Sequence, residues 1–415
     1  MCFGTIIISI VYIYLLQWIV KPLLYASMLC IFLCFAALAL YGYVVAQDYE
    51  KDSDDWKMAM AGAIVFAVID FIYMVFVCCC WSNISLGASI MQAASQFVSS
   101  TKRIVAVPLI SYILVIPIFL MWSFCAVHLY AIGETQFVEN QFLPNIVREK
   151  EVEYVFWVYL FGLLWIMAYV IAVAQFIIAA CACMWYFTGQ GQDMSDSPYD
   201  VSLCKAFRWA TWYHCGSIAF GSFLIAVVQM IRIIFEYIIY QYEKVGNKEN
   251  PVYKAFKCVA RCILWCLDQC VKFITKSAYI QIALHSSSFC KAAWDGFCLA
   301  LRHVGRFSSA SLIGAIMMVL GKGTIMGASA CLTYILCQNM YPEITQPIVG
   351  TVVVTLVAYL VGSLFLSVFS FSATAILHSF ILAEDQGWDA YSPECLKDFL
   401  EANDNAKAIR KKDDE

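Results

Sequence analysis

The sequence predicts an all-α polytopic membrane protein, a helical bundle with eight clear transmembrane helices and a ninth candidate at residues 258–284. Three observations predict this fold class. Hydrophobic residues make up 62% of the 415-residue chain and charged residues only 13%, whereas soluble domains carry about 25% charge. The mean hydropathy is +0.75. Several apolar runs reach the roughly 20 residues that a helix needs to cross about 30 Å of hydrocarbon.

The eight apolar runs follow one another at 3–20, 23–46, 58–81, 104–132, 154–187, 215–240, 312–337 and 348–382. No basic residue precedes the first run and no small-residue cleavage pattern follows it, so we expect a retained helix rather than a signal peptide. The ninth candidate is apolar overall but carries Arg261, Asp268, Lys272 and Lys276. Hydropathy leaves open whether this segment crosses the membrane, re-enters it or lies at its surface.

Basic residues indicate which loops are cytosolic. They concentrate in two late regions, after residue 284 and in the polar tail: Lys291, Arg302, Arg306, Lys407, Arg410, Lys411 and Lys412. We therefore expect one transmembrane domain over residues 1–385 and a cytosolic tail over 386–415. Nine crossings place the loops 47–57 and 133–153 outside and Asn83 inside, whereas eight crossings place them the other way round. We prefer nine, for a reason given with the resemblance below.

Composition and motifs exclude two classes of function. The net charge is −4, with no basic region suited to a nucleic-acid backbone. The sequence contains no zinc-protease, P-loop or nucleophile-elbow signature, and its five histidines are scattered. We therefore expect neither an enzyme nor a nucleic-acid-binding protein, and we expect no catalytic residues, metal site or cofactor.

Asp70 lies near the middle of the third run, in Ala67-Val-Ile-Asp-Phe-Ile-Tyr73. A carboxylate that faced lipid there would cost at least about 2.5 kcal/mol, so we expect its side chain to face a cavity or a partner. Two interpretations stay open. Asp70 either binds a cation or proton, or forms a structural bond to a neighbouring helix.

Charged and cysteine residues recur at helical spacing in the later segments. Arg232 and Glu236 are four residues apart, as are Asp268 and Lys272, and both spacings favour ion pairs within one helix. Cys258, Cys262, Cys266 and Cys270 form a stripe about 18 Å long, too extended for one tetrahedral metal ion. A packing stripe is favoured, and S-palmitoylation is the functional alternative.

The fifth run places four aromatic residues along one flank of a helix: Trp157, Phe161, Trp165 and Tyr169. Ring faces attract a quaternary ammonium group, whose diffuse charge needs no hydrogen bond. The alternative is ordinary packing against helices and lipid, because aromatic stripes are common in membrane helices. This flank and Asp70 are our candidate substrate-binding residues.

Several motifs resemble the choline transporter-like family of solute carriers over about residues 156–385. The most specific are Tyr213-His214-Cys215-Gly216-Ser217-Ile218-Ala219-Phe220-Gly221-Ser222, Ala278-Tyr279-Ile280-Gln281-Ile282-Ala283-Leu284-His285 and Ser288-Phe289-Cys290. Two departures stand out, because Ser286 occupies a position where the family usually has Gly, and His303 one where Asn is usual.

The resemblance implies facilitated movement of choline or a related amine by alternating access, in one transporter domain. Family members have ten helices with both ends cytosolic, and a large external loop follows their first helix. This chain lacks that helix and loop, so its first run would match the family's second helix, and nine crossings then return the tail to the cytosol. An external start of this kind suggests an incomplete N-terminus or a divergent member.

The expected partners are a small cation, choline or a similar amine, and membrane lipids. We expect an integral, multi-pass protein of the plasma membrane, with an organellar membrane as the alternative. A competing function is a non-transporting membrane protein, either a structural subunit of a larger membrane assembly or a lipid-linked factor. Fold alone does not separate these functions.

Overall fold

The computed structural model describes residues 2–49, 53–132, 134–136, 145–147, 150–188, 201–244, 251–340, 347–387, 393 and 395–397. The helices in these ranges are α1 (Cys2–Gln47), α2 (Asp54–Cys79), α3 (Trp81–Ser100), α4 (Ala106–Tyr130), α5 (Lys150–Thr188), α6 (Leu203–Arg208), α7 (Cys215–Lys244), α8 (Pro251–His285), α9 (Phe289–Arg302), α10 (Val304–Met340) and α11 (Pro347–Asp385). A 3₁₀ turn, Lys102–Val105, precedes α4, and a π-helical turn, Trp209–Tyr213, precedes α7. Two short strands, β1 (Glu134–Gln136) and β2 (Asn145–Val147), pair antiparallel between α4 and α5.

The predicted fold class, an all-α polytopic membrane bundle, is confirmed. Within the described residues, seven helices are long and apolar enough to cross a membrane: Trp18–Gln47, Asp54–Cys79, Lys102–Tyr130, Glu151–Phe187, Cys215–Lys244, Val304–Asn339 and Ile348–Asp385. The first corresponds to the run predicted at 23–46, and the others correspond to the runs predicted from residue 58 onward. The chain is therefore an integral, multi-pass membrane protein.

The first two predicted crossings, 3–20 and 23–46, are corrected to one continuous helix, α1. Only Lys21 and Pro22 separate the two runs, which is the lower limit of the 2–5 loop residues that a reversal between antiparallel helices takes. Pro22 lies inside α1 without ending it. A helix of 46 residues is about 69 Å long, more than twice the hydrocarbon thickness. Residues 18–47 of α1 have the length and hydropathy of a membrane span.

The ninth candidate, 258–284, lies inside the long helix α8. It is not among the seven helices that meet the length and composition of a membrane span in the described part of the chain. Its charged residues lower the hydropathy, and Asp268 is buried, with only 3% of its surface exposed. Whether α8 crosses the bilayer stays a prediction.

The helices form two compact units. The first contains α1, α2, α3, α10, α11 and the last residues of α5. In its interior lies α3, which packs against α1, α10 and α11 and has twelve of its 20 residues buried. The sequence analysis missed α3 as an element, because its many serines and small residues keep its hydropathy below that of a membrane span. The prediction of a single domain over 1–385 stays a prediction, and most of the tail lies outside the described residues.

One end of the first unit is held by ion pairs between α10 and α11. Both nitrogens of the Arg306 guanidinium fork contact the Glu384 carboxylate, one of them at 3.1 Å. His303 Nε2 lies 3.3 Å from Asp385 Oδ1. The start of α10 and the end of α11 are therefore at the same level in this unit.

The second unit contains α4, most of α5, and α6 to α9. Ion pairs join α7 to α8, and they change one prediction. Arg232 does not pair with Glu236 four residues later. Its guanidinium lies 3.4 Å from Asp268, and Glu236 accepts two hydrogen bonds from Arg261 at 2.7 and 2.5 Å. The reason is geometric, because carboxylates on the facing helix lie within closer reach.

The pair predicted between Asp268 and Lys272 is confirmed, with an N–O distance of 2.7 Å. Asp268 therefore contacts two cations, Lys272 on its own helix and Arg232 on α7. Lys257 contacts Glu243 at 2.6 Å. The α7–α8 interface is thus a series of ion pairs rather than a purely apolar seam.

Two motif positions explain the close packing of α7, α8 and α9. A Cβ on Gly221 would lie 2.6 Å from both the Tyr279 hydroxyl and the Phe289 ring, so only glycine fits this approach. The Tyr279 hydroxyl donates to the carbonyl of Ile218 at 3.3 Å. Residues of three separate motifs thus meet at one junction.

Ser286 ends α8 in a left-handed conformation, with φ of 52°. Its N–H donates to the Ile282 carbonyl at 2.8 Å, the bond of a left-handed helix cap. This conformation is favourable for glycine and costs an L-residue energy. The backbone therefore accounts for the glycine that the resemblance places here.

Candidate cation site

The aromatic flank of α5 packs against α7 in the second unit. Phe223 of α7 meets two rings of the flank edge-to-face, Phe161 at 5.7 Å and Trp165 at 5.4 Å between centroids. Phe161 and Trp165 are 6.4 Å apart. The three rings form a cluster, which we call the α5–α7 aromatic cluster. Edge-to-face geometry is the arrangement that the ring quadrupoles favour.

Trp165 is fixed in orientation and also accessible. Its indole N–H donates to the Ala219 carbonyl on α7 at 3.1 Å. The side chain nevertheless keeps 39% of its surface exposed. A ring whose edge is anchored and whose surface is open can present a fixed quadrupole to a cation.

The other two members of the flank lie apart from this cluster. Trp157 meets Tyr237 of α7 edge-to-face at 5.3 Å. Tyr169 is half-buried and, within the described part of the chain, joins no ring cluster. The structure therefore brings Phe161 and Trp165 together with Phe223 and pairs Trp157 with Tyr237.

The sequence analysis missed Phe223 and Tyr237. Both stand in an apolar run with other aromatic residues, so nothing local distinguishes them. Their role appears only when α7 packs on α5.

The α5–α7 aromatic cluster gains no positive charge from the histidine that precedes α7. His214 precedes α7, and its ring lies 5.6 Å from Phe176 of α5. Burial lowers the pKa of His214 from its ordinary value, so the imidazole is neutral at neutral pH.

Asp70 belongs to α2 in the first unit and is half-buried. Its Oδ1 atom is shielded and has no hydrogen-bond partner among the described residues. One turn further along α2, the Tyr73 hydroxyl donates to the Met28 carbonyl of α1 at 3.2 Å. This hydrogen bond between α2 and α1 comes from Tyr73 and not from Asp70, and the Oδ1 atom of Asp70 keeps unused acceptor capacity.

A second group of polar side chains in the first unit was not predicted. His378 is fully buried against the Phe307 ring, and neither of its nitrogens has a hydrogen-bond partner among the described residues. Ser95 of α3 and Ser329 of α10 are also buried without a side-chain partner in this part of the chain. In the sequence, each of these residues is only a polar residue inside an apolar run. The same pattern is typical of a core residue whose hydrogen bonds are all formed.

The described residues contain no group of three or more His, Cys, Asp or Glu side chains that could hold a metal ion. The α5–α7 aromatic cluster instead offers ring faces. The four stripe thiols, Cys258, Cys262, Cys266 and Cys270, are all exposed, which argues against the favoured role in close packing within this unit.

Comparison with known proteins decides the family. The family described as plasma-membrane choline transporter matches residues 64–385, more than half of the chain. This chain belongs to the choline transporter family. The match begins earlier than the resemblance at residue 156 and includes α2 from residue 64 onward, α3 and α4.

Individual relatives agree. Choline transporter-like protein 2 of Dictyostelium discoideum is 26% identical over 398 residues, covering 91% of this chain and 62% of the relative. Choline transporter-like 2 of Drosophila melanogaster is 31% identical over 271 residues, 65% of this chain and 32% of the relative. Choline transporter-like protein 1 of Rattus norvegicus is 26% identical over 370 residues, 86% of this chain and 54% of the relative. The chain thus spans less than two thirds of each relative.

The family is one of transporters, which agrees with the prediction that the chain is not an enzyme. The relatives' names add choline as their substrate. The candidate site residues stay a prediction.

Proposed function

We propose that this chain moves choline or a related amine across the plasma membrane by facilitated alternating access. The observation that carries the proposal is the α5–α7 aromatic cluster in a member of the choline transporter family. A trimethylammonium group has no N–H to donate, so ring faces suit it better than hydrogen-bond acceptors do.

The cation is held against the α5 flank, with Phe161 and Trp165 as the central ring faces. Trp157 and Tyr169 extend the wall along the same helix. A desolvated cation over a ring face gains about 2 kcal/mol. Two such faces would supply about 4 kcal/mol, which corresponds to a dissociation constant of about 1 mM without any ion pair.

The carboxylates of α7 and α8 support an aromatic rather than an ionic site. Glu236, Glu243 and Asp268 each already contact a basic side chain at 3.4 Å or less. A substrate cation would have to displace Arg261, Lys257 or Lys272 to reach them. Trp165 keeps 39% of its surface exposed and forms no ion pair that a substrate cation would have to displace.

Asp70 is the candidate site residue of the first unit. Its shielded oxygen lacks a partner within the described residues, which leaves it able to accept a cation. Asp70 is therefore a separate candidate position for a cation or a proton within the first unit.

The test is uptake of labelled choline by purified protein in proteoliposomes. We expect saturable uptake that tetramethylammonium inhibits more strongly than ammonium does, because ring faces recognise the diffuse charge. Uptake no greater than in empty liposomes would contradict the proposal. Stable co-purification with other membrane subunits, together with absent uptake, would favour a structural subunit instead.

A further inference from the structure

The C-terminal tail returns to the first unit after α11 has ended. Leu396 has no exposed surface, and Cys395 keeps only 6% of its own. The Cys395 thiol lies against α3, where it donates a weak hydrogen bond to Oε1 of Gln96 at 3.6 Å. We propose that the segment 393–397 is a strap that docks on α3 and controls how often this helix opens away from α1, α10 and α11. The strap acts independently of the substrate that the protein carries.

The side of α3 that meets the strap is polar and only half-buried. Other sides of α3 pack against α1, α10 and α11. Ser85, Gln92, Gln96 and Ser99 recur at intervals of seven, four and three residues, so they share one side of the helix. All four are half-buried. Polar groups on this side need hydrogen-bond partners, and the strap supplies one to Gln96.

The start of α3 lies at the level where α11 ends. The Asn83 carbonyl accepts a hydrogen bond at 3.2 Å from Ser309, which is on the second turn of α10. Arg306, on the first turn of α10, binds Glu384 on the last turn of α11. The tail therefore leaves α11 beside the first turn of α3.

The docking contact of the strap lies near the other end of α3. Gln96 follows Asn83 by 13 residues, which is about 20 Å along a helix. The ten residues from Asp385 to Cys395 reach this distance with length to spare, because an extended chain covers up to about 3.3–3.6 Å per residue. The strap thus covers the side on which α3 would leave the bundle, and its release is needed before α3 can open.

The strap itself is an amphipathic helical turn. The N–H groups of Leu396 and Lys397 both donate to the Pro393 carbonyl, at 2.8 and 3.0 Å. Proline suits the first turn of a helix, because its missing N–H would have no partner there. Leu396 is buried and Lys397 is exposed, so the turn has an inner and an outer side. In the sequence, a second apolar pair, Phe399 and Leu400, follows at the spacing of one helical face.

The interior of the first unit contains polar groups that favour the opening of α3. Ser95 has no exposed surface. Its hydroxyl and the shielded Oε1 atom of Gln92 have no hydrogen-bond partner within the described residues. A shielded polar atom without a partner costs free energy, which it regains when it meets water. The burial of Leu396 acts in the opposite direction, because it is lost when the strap leaves α3.

The test is hydrogen–deuterium exchange of the purified full chain, with mass spectrometry on peptides from α3. Leu396→Asp places a carboxylate where the side chain has no exposed surface. Lys397→Asp is the matched control, because Lys397 is exposed. Burial of a leucine favours the docked strap by roughly 10- to 100-fold. The amides of α3 should therefore exchange faster by about this factor in Leu396→Asp and at the wild-type rate in Lys397→Asp.

Leu396→Ala covers the case in which Leu396→Asp does not fold, and here we expect exchange in α3 to be about tenfold faster. Peptides from α7 in the second unit are the internal reference and should not change in any variant. Wild-type exchange of α3 in the Leu396 variants would overturn the proposal. Equal acceleration in Lys397→Asp, or equal acceleration in α3 and α7, would overturn it as well. Because exchange is measured without choline, failure here leaves the proposed transport function untouched.

Discussion

Trp165→Leu removes a ring face from the α5–α7 aromatic cluster and keeps the position apolar. If the ring faces a desolvated trimethylammonium, its loss costs about 2 kcal/mol, or roughly 30-fold in affinity. The change also removes the bond to the Ala219 carbonyl and the contact with Phe223. Interhelical hydrogen bonds in membranes average about 0.6 kcal/mol and an aromatic pair contributes about 0.5–1.5 kcal/mol, so we expect a stability loss of roughly 1–2 kcal/mol.

Trp165→Phe separates binding from stability. It keeps a ring but loses the indole N–H, so we expect a much smaller loss of affinity than in Trp165→Leu. The measurement is choline uptake against concentration, in proteoliposomes with equal amounts of folded protein. Trp212→Leu is the matched control, because Trp212 is 81% exposed and lies outside the cluster. Equal effects of Leu and Phe at 165, or unchanged kinetics in both, would refute the role of the ring face.

Three further predictions address topology, charge and backbone. Asn83 lies in an Asn-Ile-Ser sequon, and because nine crossings would place this segment inside the cell we expect no glycan; a glycosidase-sensitive mass shift that vanishes in Asn83→Gln would contradict this. Asp70→Asn should lower choline transport more than it lowers the yield of folded protein, and normal transport would make Asp70 dispensable. Ser286→Gly should raise stability by roughly 1 kcal/mol, seen as a melting temperature about 2 °C higher, because φ is 52° there; Ser286→Ala should give no such gain.

Hydropathy predicted the membrane helices that polar segments separate from other apolar runs, because a long apolar run with few charges is stable in lipid as a helix. Hydropathy failed to predict where one helix ends and the next begins. No residue between positions 20 and 23 favours a reversal of the chain over a continuing helix, and α1 continues through Pro22. It also missed α3, whose burial depends on three other helices and not on its own hydropathy.

Charge pairs and ring contacts show the same limit. Spacing predicted the pair of Asp268 and Lys272, because both residues belong to one helix. It could not predict that Arg232 reaches Asp268 or that Phe223 meets Trp165, since these pairs join residues 36 and 58 positions apart. The left-handed backbone of Ser286 explains why glycine is usual at this position, since glycine adopts that conformation without strain.

Counterflow of choline tests the central claim most directly. Proteoliposomes that hold purified protein are loaded with unlabelled choline and diluted into a trace of labelled choline. A carrier that alternates its access exchanges the two pools, so the label should accumulate transiently inside, far above its level in liposomes without internal choline. Label uptake that is the same with and without internal choline, or no greater than in protein-free liposomes, would contradict transport of choline by alternating access.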